Sequence, residues 1–234
     1  MQRVTHILQK EIKAYFVSPI AYIVIAIFLL ATGWLFFSTF FFSNQATLRS
    51  FFELLPLTFA FVIPAVTMRL FAEELSLGSY ETLLTLPVTF RDIVVGKFLA
   101  AVFFVAAMLA PTLSYAVFIA FFGQLDWGPV IGGYTGAVLL GAAFSSIGLF
   151  ASSLTRNQII AFIIGTGICF TLTILHYVLF FLPQPLVPFV GYLSANLHFE
   201  NVAKGILDSR DILYFLSVIF IGLYGSHLVL QEKS

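Results

Sequence analysis

The chain has 234 residues, 60% hydrophobic and 9% charged, with a formal net charge of zero and a mean hydropathy of +1.04. Soluble domains carry about 25% charged residues, so a water-soluble globule is excluded; a membrane β-barrel is excluded as well, because apolar runs of about 20 residues stand where short alternating segments would be needed. Neutrality gives no reason to expect nucleic acid as a partner, and the single cysteine, Cys169, lies in an apolar run, where no intramolecular disulfide can form and a small buried hydrophobe is expected.

The first element expected is an amphipathic helix within residues 1–18. Residues 4–16, VTHILQKEIKAYF, place Val4, Ile7, Leu8, Ile12, Tyr15 and Phe16 near one face, with Lys10, Glu11 and Lys13 on the others. Such a stripe, three turns long, predicts a helix lying along a membrane surface. Ser18-Pro19 then changes direction. The first long apolar run begins near Ile20 and exceeds the length of a cleavable signal core, so this span is expected to stay in the mature protein.

Six spans follow, at about 20–42, 52–71, 93–122, 130–154, 158–182 and 211–230. Pro64 and Pro111 predict kinks in the second and third. The fourth is rich in small residues (Gly132, Gly133, Gly136, Gly141, Gly148, Ala142, Ala143), which predicts close helix packing inside the chain rather than a separate dimer seam. Its Ser145, Ser146, Ser152 and Ser153 are expected to bond back to their own helix.

Residues 69–97 are the longest polar interruption and hold seven of the 22 formal charges: Arg69, Glu73, Glu74, Glu81, Arg91, Asp92 and Lys97. A helix leaving the second span continues through Glu74 and meets Gly78, which permits a sharp redirection. Ser79 to Leu86 predicts a second, short helix with Tyr80, Leu83 and Leu84 on one face and Glu81 in its first turn. Pro87 ends it, and Thr89 with Asp92 reads as a cap for the third span.

Basic residues set the orientation. With the N-terminus in the cytoplasm, Arg3, Lys10, Lys13, Arg69, Arg91, Lys97, Arg156 and Lys233 are inside, and Arg49, Lys204 and Arg210 outside. Both termini and residues 69–97 are then cytoplasmic. Residues 183–210 are too apolar for a free loop, yet Pro183, Pro185, Pro188 and Gly191 forbid one straight span. One or two short re-entrant helices are expected there, the second from His198 to Leu207. They form either an external gate or a surface-lying plug.

Chemistry is sparse. No phosphate-binding loop exists, since Gly96-Lys97 lacks the preceding glycine pattern. His6, His176, His198 and His227 are scattered and read as interfacial or packing residues. No charged residue lies at mid-depth, so an autonomous ion-coupled carrier is disfavoured.

These features together resemble the ABC exporter type-2 permeases: an acidic pair Glu73-Glu74, then Gly78, Ser79, Glu81, Leu83-Leu84, Pro87-Val88 and the capped Ile93 to Lys97. The stretch His198–Leu216 is most similar to permease subunits of gliding-motility-associated ABC transporters, with permeases of nitrous-oxide-reductase maturation near relatives. The resemblance spans the chain and implies an all-α membrane protein, one transmembrane domain over 1–234, in a bacterial inner membrane. It implies a cytoplasmic coupling segment at 69–92 that docks separate ATPase subunits, which bind the ATP and Mg²⁺; this chain binds no cofactor of its own. A second permease copy or a sister permease would complete the dimer. Glu73, Glu74 and Glu81 are expected to make polar contacts to the ATPase, with Gly78 and Ser79 shaping the segment and Tyr80, Leu83 and Leu84 filling the ATPase groove. Arg156 and Asn157 are either a second docking point or a positive-inside anchor. Closure of the ATPases would tilt spans two and five and open an outward path. The 29 phenylalanines favour a lipid-linked, hydrophobic or amphipathic cargo. A membrane scaffold driven by ATPase strokes, without transport, is the alternative function.

Overall fold

Residues 2–43, 47–78, 89–206 and 208–233 are described by a computed structural model. They form eleven α-helices and, among the described residues, no strand. In chain order these are α1 (Gln2–Val17), α2 (Pro19–Ser43), α3 (Arg49–Thr67), α4 (Arg69–Leu77), α5 (Phe90–Leu109), α6 (Leu113–Ala120), α7 (Trp127–Leu154), α8 (Gln158–Val178), α9 (Val187–Leu193), α10 (Ala195–Ala203) and α11 (Ser209–Glu232). Six continuous stretches are long and apolar enough to cross a membrane: Pro19–Phe40, Arg49–Leu77, Phe90–Ala120, Trp127–Leu154, Gln158–Phe181 and Ser209–Glu232. They match the six expected spans. An even number of crossings leaves both termini at one end of the bundle.

The bundle is organised around α7. Of its apolar window 78% is buried, against 28% for the first span, 28% for the fifth and 22% for the sixth. Small residues allow this. A Cβ added at Gly132 would stand 2.4 Å from the carbonyl oxygen of Val202, so α10 lies directly on the α7 backbone. The small residues thus serve internal packing, as expected.

Of the two prolines expected to kink their spans, Pro111 sits in an interruption, whereas α3 runs unbroken through Pro64. Around Pro111 the third span passes through a 3-10 turn, Ala110–Thr112, before continuing as α6. After Pro64 the second span breaks at Met68, between α3 and α4. The break leaves backbone groups of the new helix without intrahelical partners. Ser152 of α7 takes them over. Its Oγ accepts from the amides of Phe71 and Ala72, each at 3.0 Å, and donates to the carbonyl of Met68 at 2.7 Å. Ser146 and Ser153 bond back to Ala143 and Phe150 as expected, but Ser152 corrects that expectation, as does Ser145, whose buried Oγ meets no hydrogen-bond partner among the described residues. Contact between α7 and the break is close enough for a cross-helix bond because position 148 is glycine, where a Cβ would fall 2.0 Å from Thr67 Oγ1.

At the other end, the expected pair of short helices is present. The second runs from Ala195 to Ala203 rather than to Leu207, because Lys204 caps it and Gly205 adopts φ +84°. It buries Asn196, His198, Phe199 and Val202, whereas α9 buries none of its residues.

Replacing Ser152 with alanine strands two amides and a carbonyl in a buried site, at a cost of about 1–3 kcal/mol for an unsatisfied buried group. Thermal unfolding of the purified chain in mild detergent is expected to show a lower midpoint; an unchanged midpoint would remove Ser152 from this role.

Candidate functional site

At the end of the bundle that carries the termini, Lys10, Glu11, Glu74 and Lys97 converge. Lys97, in the second turn of α5, is only 2% exposed. Its ammonium lies 2.9 Å from Glu11 Oε1 of α1 and 2.9 Å from Glu74 Oε1 of α4, and donates to the Leu70 carbonyl at 2.8 Å. The Phe71 ring covers it, with the centroid 5.2 Å from Nζ. All three ammonium protons can therefore be directed at oxygen while an aromatic face excludes water. Lys10 approaches the same Glu74 oxygen at 3.6 Å.

This cluster fixes α1 against α4 and α5. The expected apolar stripe of α1 is present, but Glu11 does not sit on a solvated face. It turns inward, because a buried ammonium on α5 requires a carboxylate there. The stripe packs on protein: Tyr15 meets Phe104 with ring centroids 5.1 Å apart, and Phe16 meets Phe103 at 6.3 Å. Close approach depends on Gly96, where a Cβ would stand 2.8 Å from Ile7 Cγ2. Arg69 covers the Tyr15 ring at 4.8 Å, and the Tyr15 hydroxyl donates to the Val66 carbonyl at 3.4 Å. Burial pushes the Tyr15 phenol well above its usual range, a rise that Arg69 partly offsets.

Of the residues expected to meet an ATPase, Glu73 is exposed, while Glu74 is engaged inside the chain with Lys97. Gly78 has φ +69°, the left-handed cap that lets the chain leave α4 sharply. Ser79, Tyr80, Glu81, Leu83 and Leu84 lie outside the described residues. The chain is described again at Thr89, whose side chain accepts from the Asp92 amide at 3.3 Å while Asp92 Oδ2 accepts from the Thr89 amide at 3.1 Å. The expected cap on α5 is therefore formed.

Arg156 and Asn157, in the turn between α7 and α8, are brought beside the end of α4. Together with Ser76, Thr155, Gln158 and Ile159 they line an open cleft of about 580 Å³. Asn157 Oδ1 accepts from the Ile159 amide at 2.9 Å and so starts α8, while the Arg156 side chain is exposed. Lys233 closes the back of this turn by donating to the carbonyls of Ser153 and Leu154 at 2.7 and 3.1 Å. Its burial, and then the neighbouring Arg156, lower the pKa of the Lys233 ammonium below its usual value. Glu73, Ser76, Leu77 and Arg156 thus form a solvent-facing surface where α4 ends, polar except for Leu77, which is 74% exposed.

The expected gate residues are at the opposite end. Pro183, Pro185 and Pro188 are exposed, and Gly191 packs near the Leu197 side chain. Beside them, His198 is more than the packing residue expected. Its Nδ1 faces Asp211 Oδ1, and its Nε2 faces the Tyr192 carbonyl at 2.9 Å. The imidazole is thus held at both nitrogens. The ring stacks on Tyr214 at 4.1 Å, and the Tyr214 hydroxyl donates to the Leu193 carbonyl at 2.8 Å. The His198–Asp211 pair therefore ties α9 and α10 to α11.

A family model described as ABC-2 family transporter protein matches residues 5–191. No curated protein matches the chain.

Two outcomes are expected from these clusters. Lys97→Met leaves two inward carboxylates without their cation, a loss of about 3–5 kcal/mol for a broken buried pair. Hydrogen exchange over residues 4–17 should quicken, and adding Glu11→Gln and Glu74→Gln should restore part of the protection. Unaltered exchange would mean that α1 is held by apolar packing alone. His198→Ala should expose residues 183–206 to limited proteolysis; cleavage at the wild-type rate would show that the pair with Asp211 does not hold this segment.

Proposed function

The chain belongs to the ABC-2 family of transporter proteins, whose members are transmembrane subunits that work with ABC ATPase subunits, and from that premise we propose that it is the permease of an ATP-driven exporter. The observation that carries this reading is the solvent-facing surface where α4 ends: Glu73 and Leu77 on α4 and the Arg156 cleft beside it, both at the end of the bundle that holds the termini. In this reading that end is cytoplasmic, as the basic residues favour, and the membrane is a bacterial inner membrane. Two ATPase subunits, which bind the ATP and Mg²⁺, grip residues 79–86 of two permeases, either copies of this chain or this chain and a sister. Glu73 and Arg156 then make the flanking polar contacts, and Glu74 acts from within.

Transmission follows from what holds α4. Ser152 pins its first turn to α7, and Lys97 pins its Leu70 carbonyl and Glu74 to α5 and α1. A push near Gly78 meets a helix fastened at its first turn and at Glu74 and moves α4 together with those neighbours, toward a path closed externally at Pro183 to Gly191. The gliding-motility branch is the finer assignment in this proposal. It rests on the resemblance of His198–Leu216, which lies beyond the matched residues 5–191.

Co-purification in mild detergent tests the reading. A candidate ATPase encoded with this chain is expected to come down with wild type and to be lost with Glu73→Lys combined with Arg156→Glu. Retention of the ATPase by that double variant, with the chain still monodisperse, would take the docking surface away from α4 and the α7–α8 turn.

A further inference from the structure

We propose that the cleft at the end of the bundle away from the termini is a binding site for an organic ammonium ion with an apolar body. The cleft encloses about 320 Å³, within the range of small-molecule pockets. Three separate elements build its rim. Arg49 and Glu53 come from the start of α3, Asp126 from the turn before α7, and Glu200 and Lys204 from α10. The edges of Phe52 and Phe199, otherwise buried, form an aromatic floor beside Ala203.

The charges do not cancel. Arg49 pairs with Glu53 at 3.1 Å and Lys204 with Glu200 at 3.6 Å, each four residues apart on one helix. That leaves Asp126, whose Oδ1 accepts from the Gly128 amide at 3.0 Å and which makes no ion pair among the described residues. Three carboxylates against two bases give the cleft an excess negative charge. His176 reaches Glu200 at 3.7 Å from α8 but does not line the cleft. Among the described residues, no three carboxylate, histidine or cysteine side chains converge closely enough to hold a metal ion. The acidic groups are instead spread around a space large enough for an organic cation. An ammonium near Asp126 gains from the uncompensated charge, and the ring edges of Phe52 and Phe199 offer apolar contact to the rest of the ligand.

Two sources share this chemistry, an aminophospholipid of the surrounding leaflet and a soluble amine. The site belongs to this chain alone and does not depend on an ATPase. Failure of the binding test therefore leaves the permease reading intact, and loss of ATPase co-purification leaves the site intact.

The test uses the full chain in phosphatidylcholine nanodiscs, titrated with tryptamine, with uncharged 3-ethylindole and with anionic indole-3-propionate, and followed by saturation-transfer NMR. Saturable binding of tryptamine is expected, with the neutral and anionic analogues weaker by about tenfold or more. Asp126→Asn, which preserves the helix cap, should weaken tryptamine by about tenfold. Ala203→Phe, which fills the space without changing charge, should abolish binding while leaving the thermal midpoint near that of wild type. Adding phosphatidylethanolamine to the discs sorts the sources: competition identifies the lipid as occupant, and unchanged binding identifies a soluble amine. Absence of saturable tryptamine binding, equal binding of indole-3-propionate, or indifference to both variants would overturn the proposal.

Discussion

An ammonium group with 2% of its residue surface exposed is tolerable only when its protons meet oxygen, because an unpaired charge in such a place costs several kcal/mol. Lys97 meets that condition with two carboxylates and one carbonyl drawn from helices that are otherwise independent in sequence. Everything at that end of the molecule inherits the constraint. The helix α1 must lie where Glu11 can reach α5, and α4 must be rotated so that Glu74 faces inward. Glu73, one residue earlier on the same helix, is thereby turned outward. The solvent-facing surface where α4 ends is the complement of a buried requirement.

A second constraint works through the backbone. The break at Met68 creates polar groups that a bilayer-embedded or protein-packed helix cannot leave unmet. Ser152 meets them from α7, and glycines on α7 permit the approach. One central helix of small residues therefore does two things: it lets α3, α10 and α11 pack tightly on it, and it stabilises the discontinuity in α3–α4. The lipid-like exteriors of α2, α8 and α11 contrast with it, since these spans bury only about a quarter of their apolar windows.

Features set by local physics were legible in the sequence. The six spans followed from run length, the interruption of the third span from Pro111, the redirection from Gly78, and the cap on α5 from the spacing of Thr89 and Asp92. Arg156 and Asn157 were readable as neighbours of the polar segment because a three-residue turn between spans has few places to be. What escaped was pairing across distance. Glu11 looked like any acid on the polar side of an amphipathic helix, since nothing within one turn of it reveals an ammonium 86 residues away. Ser152 looked like its neighbours Ser146 and Ser153, and only the position of the Met68 break distinguishes it. His198 and Asp211 are 13 residues apart with a helix end between them, a separation that carries no periodic signal. The excess of basic residues at one end was visible, yet it indicated a side of the membrane and not which charges would be buried.

The Lys97 cluster also has an order in time. The chain is made from its N-terminus, so α1 and the whole of the second span are complete before residue 97 exists. Throughout that interval Glu11 and Glu74 lack the buried ammonium of Lys97, and only the exposed Lys10 is at hand for Glu74. Insertion of the third span delivers the counter-charge, and α1 can then dock through Gly96 and Lys97 in one step. The helix α1 is thus synthesised ahead of the spans it packs on, yet its seat is not complete until the third span is in place.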